Sequence, residues 1–187
     1  SIYTTDFFIN TTIFFIFMIK YMRRVRILKI IEYNSKYDEQ IKDLLVELQN
    51  YLIDIDYWHT QVMLPEYREG NFKMDMRKVK NQNGRIYLSV EDNVVTGLII
   101  GIVEEADEVD KLTNDCAKTG SVIELIVKNN TRGNGVGKLL LNKIEDYFKS
   151  MDCKRINIEV FGPNKRGLNF YNKNGYIIRD MIVSKRI

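Results

Sequence analysis

The chain has 187 residues, 45% of them hydrophobic and 28% charged, with a formal net charge of +3. That is enough for one domain with a sizeable core and the balance of a soluble globular protein, while so small a charge, with acids interspersed among the bases, argues against nucleic acid as a partner. Two cysteines without ligand spacing, Cys116 and Cys153, and a single histidine, His59, argue against a metal centre and fit reduced thiols in a cytoplasmic protein.

Residues 1–21 stand apart. Phe7-Phe8-Ile9 and the run from Ile13 to Ile19 are apolar, but Asp6 and Asn10-Thr11-Thr12 interrupt them. A membrane span needs about 20 apolar residues. A signal peptide carries its basic residues ahead of the apolar run, whereas Lys20, Arg23, Arg24 and Arg26 follow it. We read 1–21 as a hydrophobic extension of uncertain role, outside the catalytic fold or packed against a partner chain or the domain surface, expect no membrane partner, and start the domain at Met22, giving 22–187.

Val25 to Glu32 alternates as a first strand. Ile41, Leu44, Leu45, Leu48 and Leu52 recur at helical spacing, so an amphipathic helix is predicted from Tyr37 to Tyr51. Pro65-Glu66 opens a second helix that runs towards Lys80 and stops at Asn81-Gln82-Asn83-Gly84. Arg85 to Val90 and Val94 to Val103 read as strands joined by a tight turn at Asp92-Asn93. An acidic loop, Glu104 to Asp110, follows. Val122 to Val127 is an apolar strand, and Val136 to Ser150 a strongly periodic helix. Arg155 to Phe161 is the next strand, and a Tyr-containing helix begins near Asn164.

The chemistry concentrates in Thr131-Arg132-Gly133-Asn134-Gly135-Val136-Gly137-Lys138, between an apolar strand and a helix. Glycines let a ligand approach the backbone closely. The helix start offers unpaired N–H groups and the positive end of its dipole, which together suit a phosphate. A Walker loop would need Gly at Arg132 and Ser or Thr at Leu139, so that reading fails twice. A dinucleotide fingerprint would need Gly at Lys138, although Glu159 stands near the distance of a ribose-binding acid. The pattern that fits is Arg-x-x-Gly-x-Gly at Arg132, Gly135 and Gly137.

With this loop, the strand before it and the segment Asn164-Lys165-Arg166-Gly167-Leu168-Asn169-Phe170-Tyr171-Asn172-Lys173-Asn174-Gly175-Tyr176, the chain resembles the GCN5-related N-acetyltransferase (GNAT) family. Gly167 stands where that family usually has Ala, and Tyr176 where it has Phe. The resemblance runs from about Met22 to the C-terminus. It implies an α/β (α+β) fold in the order β-α-α-β-β-β-α-β-α-β: a mixed, mostly antiparallel twisted sheet of six to seven strands flanked by about four helices.

The resemblance further implies an acetyl-CoA-dependent N-acetyltransferase. The acetyl group would pass to a primary amine of a small molecule or peptide by direct attack, with acetyl-CoA as co-substrate and no metal. Backbone N–H groups of Gly133, Asn134, Gly135, Val136, Gly137 and Lys138 would bind the pyrophosphate, with Arg132 helping through its side chain or by fixing the loop. A bulge in the strand Val122–Val127 would open a gap for pantetheine beside Leu125, Ile126 and Val127, and Asn164 would touch the coenzyme. Tyr171 is the candidate general acid, since a phenol of pKa about 10 is protonated at neutral pH. Glu124, a charge within an apolar strand where burial would raise its pKa, is the candidate base, directly or through water, and otherwise an acceptor-binding or structural carboxylate. By their own chemistry, carboxylates beside aromatics at Tyr51, Asp54, Asp56, Tyr57 and Trp58 suit a cationic acceptor, and equally a solvated acidic surface. Two other readings stay open: a non-catalytic CoA-binding sensor or interaction module, and a nucleotide-binding domain. A homodimer is compatible with this architecture.

Overall fold

In a computed structural model, residues 28–113 and 117–187 are described. The extension 1–21, the proposed start at Met22, the first residues of the expected strand at Val25, and Cys116 lie outside them.

The elements follow the order β1 (Lys29–Glu32), α1 (Asp38–Ile55), α2 (Tyr67–Asn81), β2 (Arg85–Glu91), β3 (Val94–Glu105), α3 (Asp110–Thr113), β4 (Lys118–Val127), α4 (Val136–Ser150), β5 (Arg155–Ile158) and α5 (Lys165–Lys173). The five strands form one sheet in sequence order. Strands β1 to β4 pair antiparallel, and β5 joins β4 in parallel.

Two expectations need correction. The sheet has five strands among the described residues, not six or seven, because 174–187 forms none. There Ile177-Ile178 and Met181-Ile182-Val183 fall side by side, so the tail lacks the period of two that would send one face inward. The loop Glu104–Asp110 is also smaller than expected: β3 continues through Glu105, and Asp110 already begins the short α3.

The period of two in the central strands divides the core between the two faces of the sheet. Ile86, Leu88, Leu98, Ile100 and Ile126 face α1 and α2, where Ile41, Leu44, Leu45 and Phe72 complete one cluster. Tyr87, Ile99, Val103 and Val122 face α4, which supplies Leu140, Leu141, Ile144 and Phe148. Gly120 in β4 makes this second packing possible, because a Cβ there would lie 2.4 Å from the Phe148 ring. Helices α1 and α2 are clamped at the surface by Arg68, whose Nη2 lies 2.8 Å from Asp43 and 2.9 Å from Glu39. Phe72, with Met76 and Val79 packed beside it, sets which face of α2 looks at the sheet.

Candidate functional site

Strand β4 is bulged where the chemistry is expected. Ile100 pairs with Glu124 and the next residue, Gly101, pairs with Val122, so Ile123 is an extra residue with no partner on β3. Pairing with β5 stops at the same level, since Val122 opposite Ile158 is the last partnership. Beyond it, residues 123–127 have no strand on their β5 side. The edge of β4 at Leu125 to Val127, which no strand covers, therefore lines a gap between the two strands, as the family resemblance implies for pantetheine. Leu125 and Val127 pack towards α4 and α5, while Ile126 is buried on the other face.

The glycine loop closes one end of this gap. Gly133 and Gly135 have φ of +85° and +79°, and nothing stands within 4 Å of where their Cβ atoms would be. The left-handed backbone conformation favours glycine, and the open space leaves the loop accessible to a ligand. Helix α4 starts at Val136, and its first intrahelical bond runs from the Leu139 N–H to the Gly135 carbonyl at 3.1 Å. The N–H groups of Val136, Gly137 and Lys138 therefore remain without helical acceptors. The Val136 side chain is core, so this residue offers the site only its backbone. Gly137 packs against the Phe170 ring. Asn134 and Lys138 are exposed at the rim.

Arg132 turns away from the loop. Its Nε donates to the Val127 carbonyl at 2.6 Å, and Glu47 lies 3.7 Å from its Nη2. Of its two expected roles, the geometry favours fixing the loop to the end of β4. Asn164 caps α5: its Oδ1 accepts from the Gly167 N–H at 2.9 Å and from the Tyr51 hydroxyl at 3.1 Å. Gly167 leaves room for this cap, since a Cβ would sit 2.7 Å from Asn164 Nδ2.

Glu124 follows the bulge and, opposite Ile100, belongs to the face covered by α1 and α2. Burial, then the charge of Asp75, push its pKa up to about 8, against the pull of the Asn71 amide and Lys78. Tyr171 packs edge-on against Phe170 and Tyr176, with centroids 5.3 and 5.8 Å apart. Its hydroxyl has no hydrogen bond among the described residues, and burial, then the charge of Glu124, raise its pKa well above that of a free phenol. The two candidates thus share one electrostatic environment although they come from β4 and α5.

The expected acceptor cluster is divided. Asp56 is buried and wholly occupied: its carboxylate accepts from the N–H groups of Trp58, Thr60 and Gln61 at 2.7–3.0 Å and from the Thr60 hydroxyl. Burial works to raise its pKa, yet these bonds hold it down to about 2. It organises the α1–α2 loop and is not free to grip a ligand. Tyr51 is committed to Asn164, and the Trp58 carbonyl accepts from Arg186. Tyr57 and Asp54 are exposed.

Sequence reasoning missed the α2 side of the site. Tyr67, Asn71 and Asp75 recur at four-residue intervals and so lie on one helical face. Asp75 is only 3% exposed, and burial lifts its pKa to about 6 against the pull of Lys78. Burial, then the charges of Glu124 and Asp75, raise the Tyr67 phenol to about 12. The signal was the four-residue spacing itself, hidden in a helix whose composition is mostly polar.

Residues 47–176 match the sequence pattern of the Acetyltransferase (GNAT) family. An uncharacterized N-acetyltransferase of Methanocaldococcus jannaschii is 31% identical over 97 residues, covering 51% of this chain and 54% of that protein. The glucosamine 6-phosphate N-acetyltransferase of Arabidopsis thaliana is 29% identical over 75 residues, covering 40% of this chain and 48% of the relative. The matches thus span about half the length of these curated relatives. In fold, the chain is similar to a crystallised point mutant of the BH1408 protein from Bacillus halodurans, with a TM-score of 0.74, 17% identity, and coverage of 85% of this chain and 99% of that one.

Proposed function

The chain belongs to the Acetyltransferase (GNAT) family, and on that premise we propose that it transfers the acetyl group of acetyl-CoA to a primary amine by direct attack in a ternary complex. The observation that carries this reading is the gap between β4 and β5. It opens at the Ile123 bulge, has the glycine loop at one end, and is flanked by Glu124 and Tyr171.

Backbone N–H groups of Val136 to Lys138 and the open Gly133–Gly135 turn bind the pyrophosphate. The free edge of Leu125 to Val127 pairs with the pantetheine amides. Glu124 takes the extra proton from the ammonium group of the acceptor. The freed nitrogen attacks the thioester carbonyl, the C–S bond breaks, and the departing sulfur takes the hydroxyl proton of Tyr171. One of the two remaining N–H protons then replaces, by way of solvent, the one Tyr171 gave up. Glu124 afterwards releases its proton to water.

The two groups support each other in time. Negative Glu124 is one reason why Tyr171 holds its proton tightly. Once Glu124 is protonated by the amine, that influence vanishes and Tyr171 becomes the stronger acid just before sulfur leaves. A half-buried carboxylate titrating near 8 is also a better base for an amine than an ordinary one.

No described helix is long and apolar enough to cross a membrane. Cys153, a free thiol packed beside α4, fits a reducing compartment, so the proposed setting is cytoplasmic. A thermal-shift comparison of acetyl-CoA, CoA, NAD and ATP, followed by thiol release over a panel of amines, tests the reading. Stabilisation by acetyl-CoA and CoA with amine-dependent thiol release is expected. Stabilisation by NAD alone sinks it, and CoA binding without thiol release leaves a sensor.

A further inference from the structure

The sheet carries a polar cavity at the end away from the coenzyme gap. Pairing of β4 with β5 begins at Thr119 opposite Arg155 and ends at Val122 opposite Ile158, where that gap opens. The cavity lies at the Thr119 end, three residues back, or about 10 Å along the strands. Gly120 and Ile156 face α4, so their neighbours Thr119, Arg155 and Asn157 belong to the other face of the sheet. Glu104 of β3 pairs with Thr119 and shares that face. Nearer the middle of the sheet the same face is apolar, with Ile100 and Ile126. Here the row across three strands reads Glu104, Thr119, Arg155.

The cavity has a volume of about 270 Å³ and is lined by both signs of charge, Arg155 and Arg179 against Glu104, Glu105, Asp110 and Asp180. Drug-sized sites run from about 300 to 1,000 Å³, so this one suits a smaller metabolite. The decisive atom is Arg155 Nε, which is shielded from solvent and has no hydrogen-bond partner among the described residues. A buried donor on a cation is costly to leave without an acceptor. It calls for an anion that the neighbouring carboxylates do not supply, since no ion pair among the described residues joins Glu104 or Asp180 to Arg155.

We propose that this cavity is a second binding site, for a small zwitterion whose carboxylate pairs with Arg155 and whose ammonium side is held by Glu104 and Asp180, above Thr119. A simple anion would meet the surrounding carboxylates, and a simple cation would leave Arg155 Nε unanswered. Because the acids outnumber the arginines, a zwitterion with a second ammonium group, as in a basic amino acid, fits best. The site shares no residue with the coenzyme gap, Glu124 or Tyr171, so it stands whether or not the chain transfers acetyl groups.

NMR of the full chain carrying nitrogen-labelled arginine reads the site directly, with the Arg155 Nε–H resonance assigned by Arg155→Lys. The probes are L-lysine, cadaverine, which lacks the carboxylate, and hexanoate, which lacks both ammonium groups. L-lysine should shift the Arg155 signal saturably and bind about tenfold or more tighter than either control. Glu104→Gln, at an exposed position of β3, should weaken L-lysine binding about tenfold by calorimetry and leave the acetyl-CoA thermal shift unchanged. An Arg155 signal that ignores L-lysine up to about 10 mM overturns the site. Hexanoate or cadaverine binding as tightly as L-lysine overturns the zwitterion assignment. L-lysine binding that Glu104→Gln leaves untouched places the ligand elsewhere and overturns the proposal as well.

Discussion

Tyr171 is held by two aromatic neighbours and carries a hydroxyl with no hydrogen bond among the described residues. Removing that hydroxyl breaks no native bond, so Tyr171→Phe should melt within a degree or two of the parent, about the scale of a near-neutral change. If Tyr171 protonates sulfur, kcat should nevertheless fall about 10²-fold or more. Acetyl-CoA affinity should barely change, because the hydroxyl matters once charge develops on the leaving thiolate. Stopped-flow thiol release and a binding titration on the same sample separate these outcomes. Unchanged turnover with chemistry rate-limiting would leave Tyr171 a packing residue. Gly135 is the converse case. At φ +79°, with open space around it, it shapes the loop and packs against nothing. Gly135→Val should abolish the acetyl-CoA thermal shift at micromolar ligand while the unliganded protein keeps a cooperative melt, since the strain costs about 1–2 kcal/mol.

At the scale of elements, Gly120→Ala offers a clean test of how α4 sits on the sheet. The added Cβ would lie 2.4 Å from the Phe148 ring, which is fully buried. Overpacking of this kind costs about 1–3 kcal/mol, to be read from the midpoint of a urea melt. A variant as stable as the parent would mean that α4 is not seated as described. The same element shows why some of the fold could be read from the sequence and some could not. Helix α4 and the apolar half of β4 announce themselves through local periodicity, and the glycine loop through its spacing. The start of β4, Lys118-Thr119-Gly120-Ser121, is polar or small, with Gly120 passing under Phe148, so it carries no apolar strand signature. The Ile123 bulge was expected only from the family resemblance, since a register shift is a property of two strands together. Asp56 looked like a ligand for a cation beside Tyr57 and Trp58, yet its oxygens are filled by the loop that follows it. Asp75 is one of two acids on a mostly polar helix, and nothing in its local sequence singles it out. Its face turns inward with Phe72, Met76 and Val79, which pack on the core from the same helix.

For the molecule as a whole, the buried carboxylates make stability depend on pH in a definite sense. Glu124 titrates near 8 in the folded protein against an ordinary 4.5, and Asp75 near 6 against 3.8. Between those values the folded state holds more protons than the unfolded chain, so stability falls as pH rises. The contribution is complete below about pH 4 and lost once pH passes 8. Asp56 works in the opposite sense. Its folded value of about 2 lies below the ordinary 3.8, so its contribution is present above about pH 4 and lost as pH falls through 2. The Tm of the unliganded protein should therefore be greatest in mildly acidic buffer and decline from pH 5 to pH 8. Glu124→Gln removes the larger of the two upward shifts. It should flatten that decline and be more stable than the parent at pH 8, while at pH 5 the two proteins should melt close together. A parent whose Tm is level or rises from pH 5 to pH 8 would show that Glu124 is more hydrated than this fold makes it. The case for Glu124 as a base near neutrality would then fail on stability data alone, before any acceptor is identified.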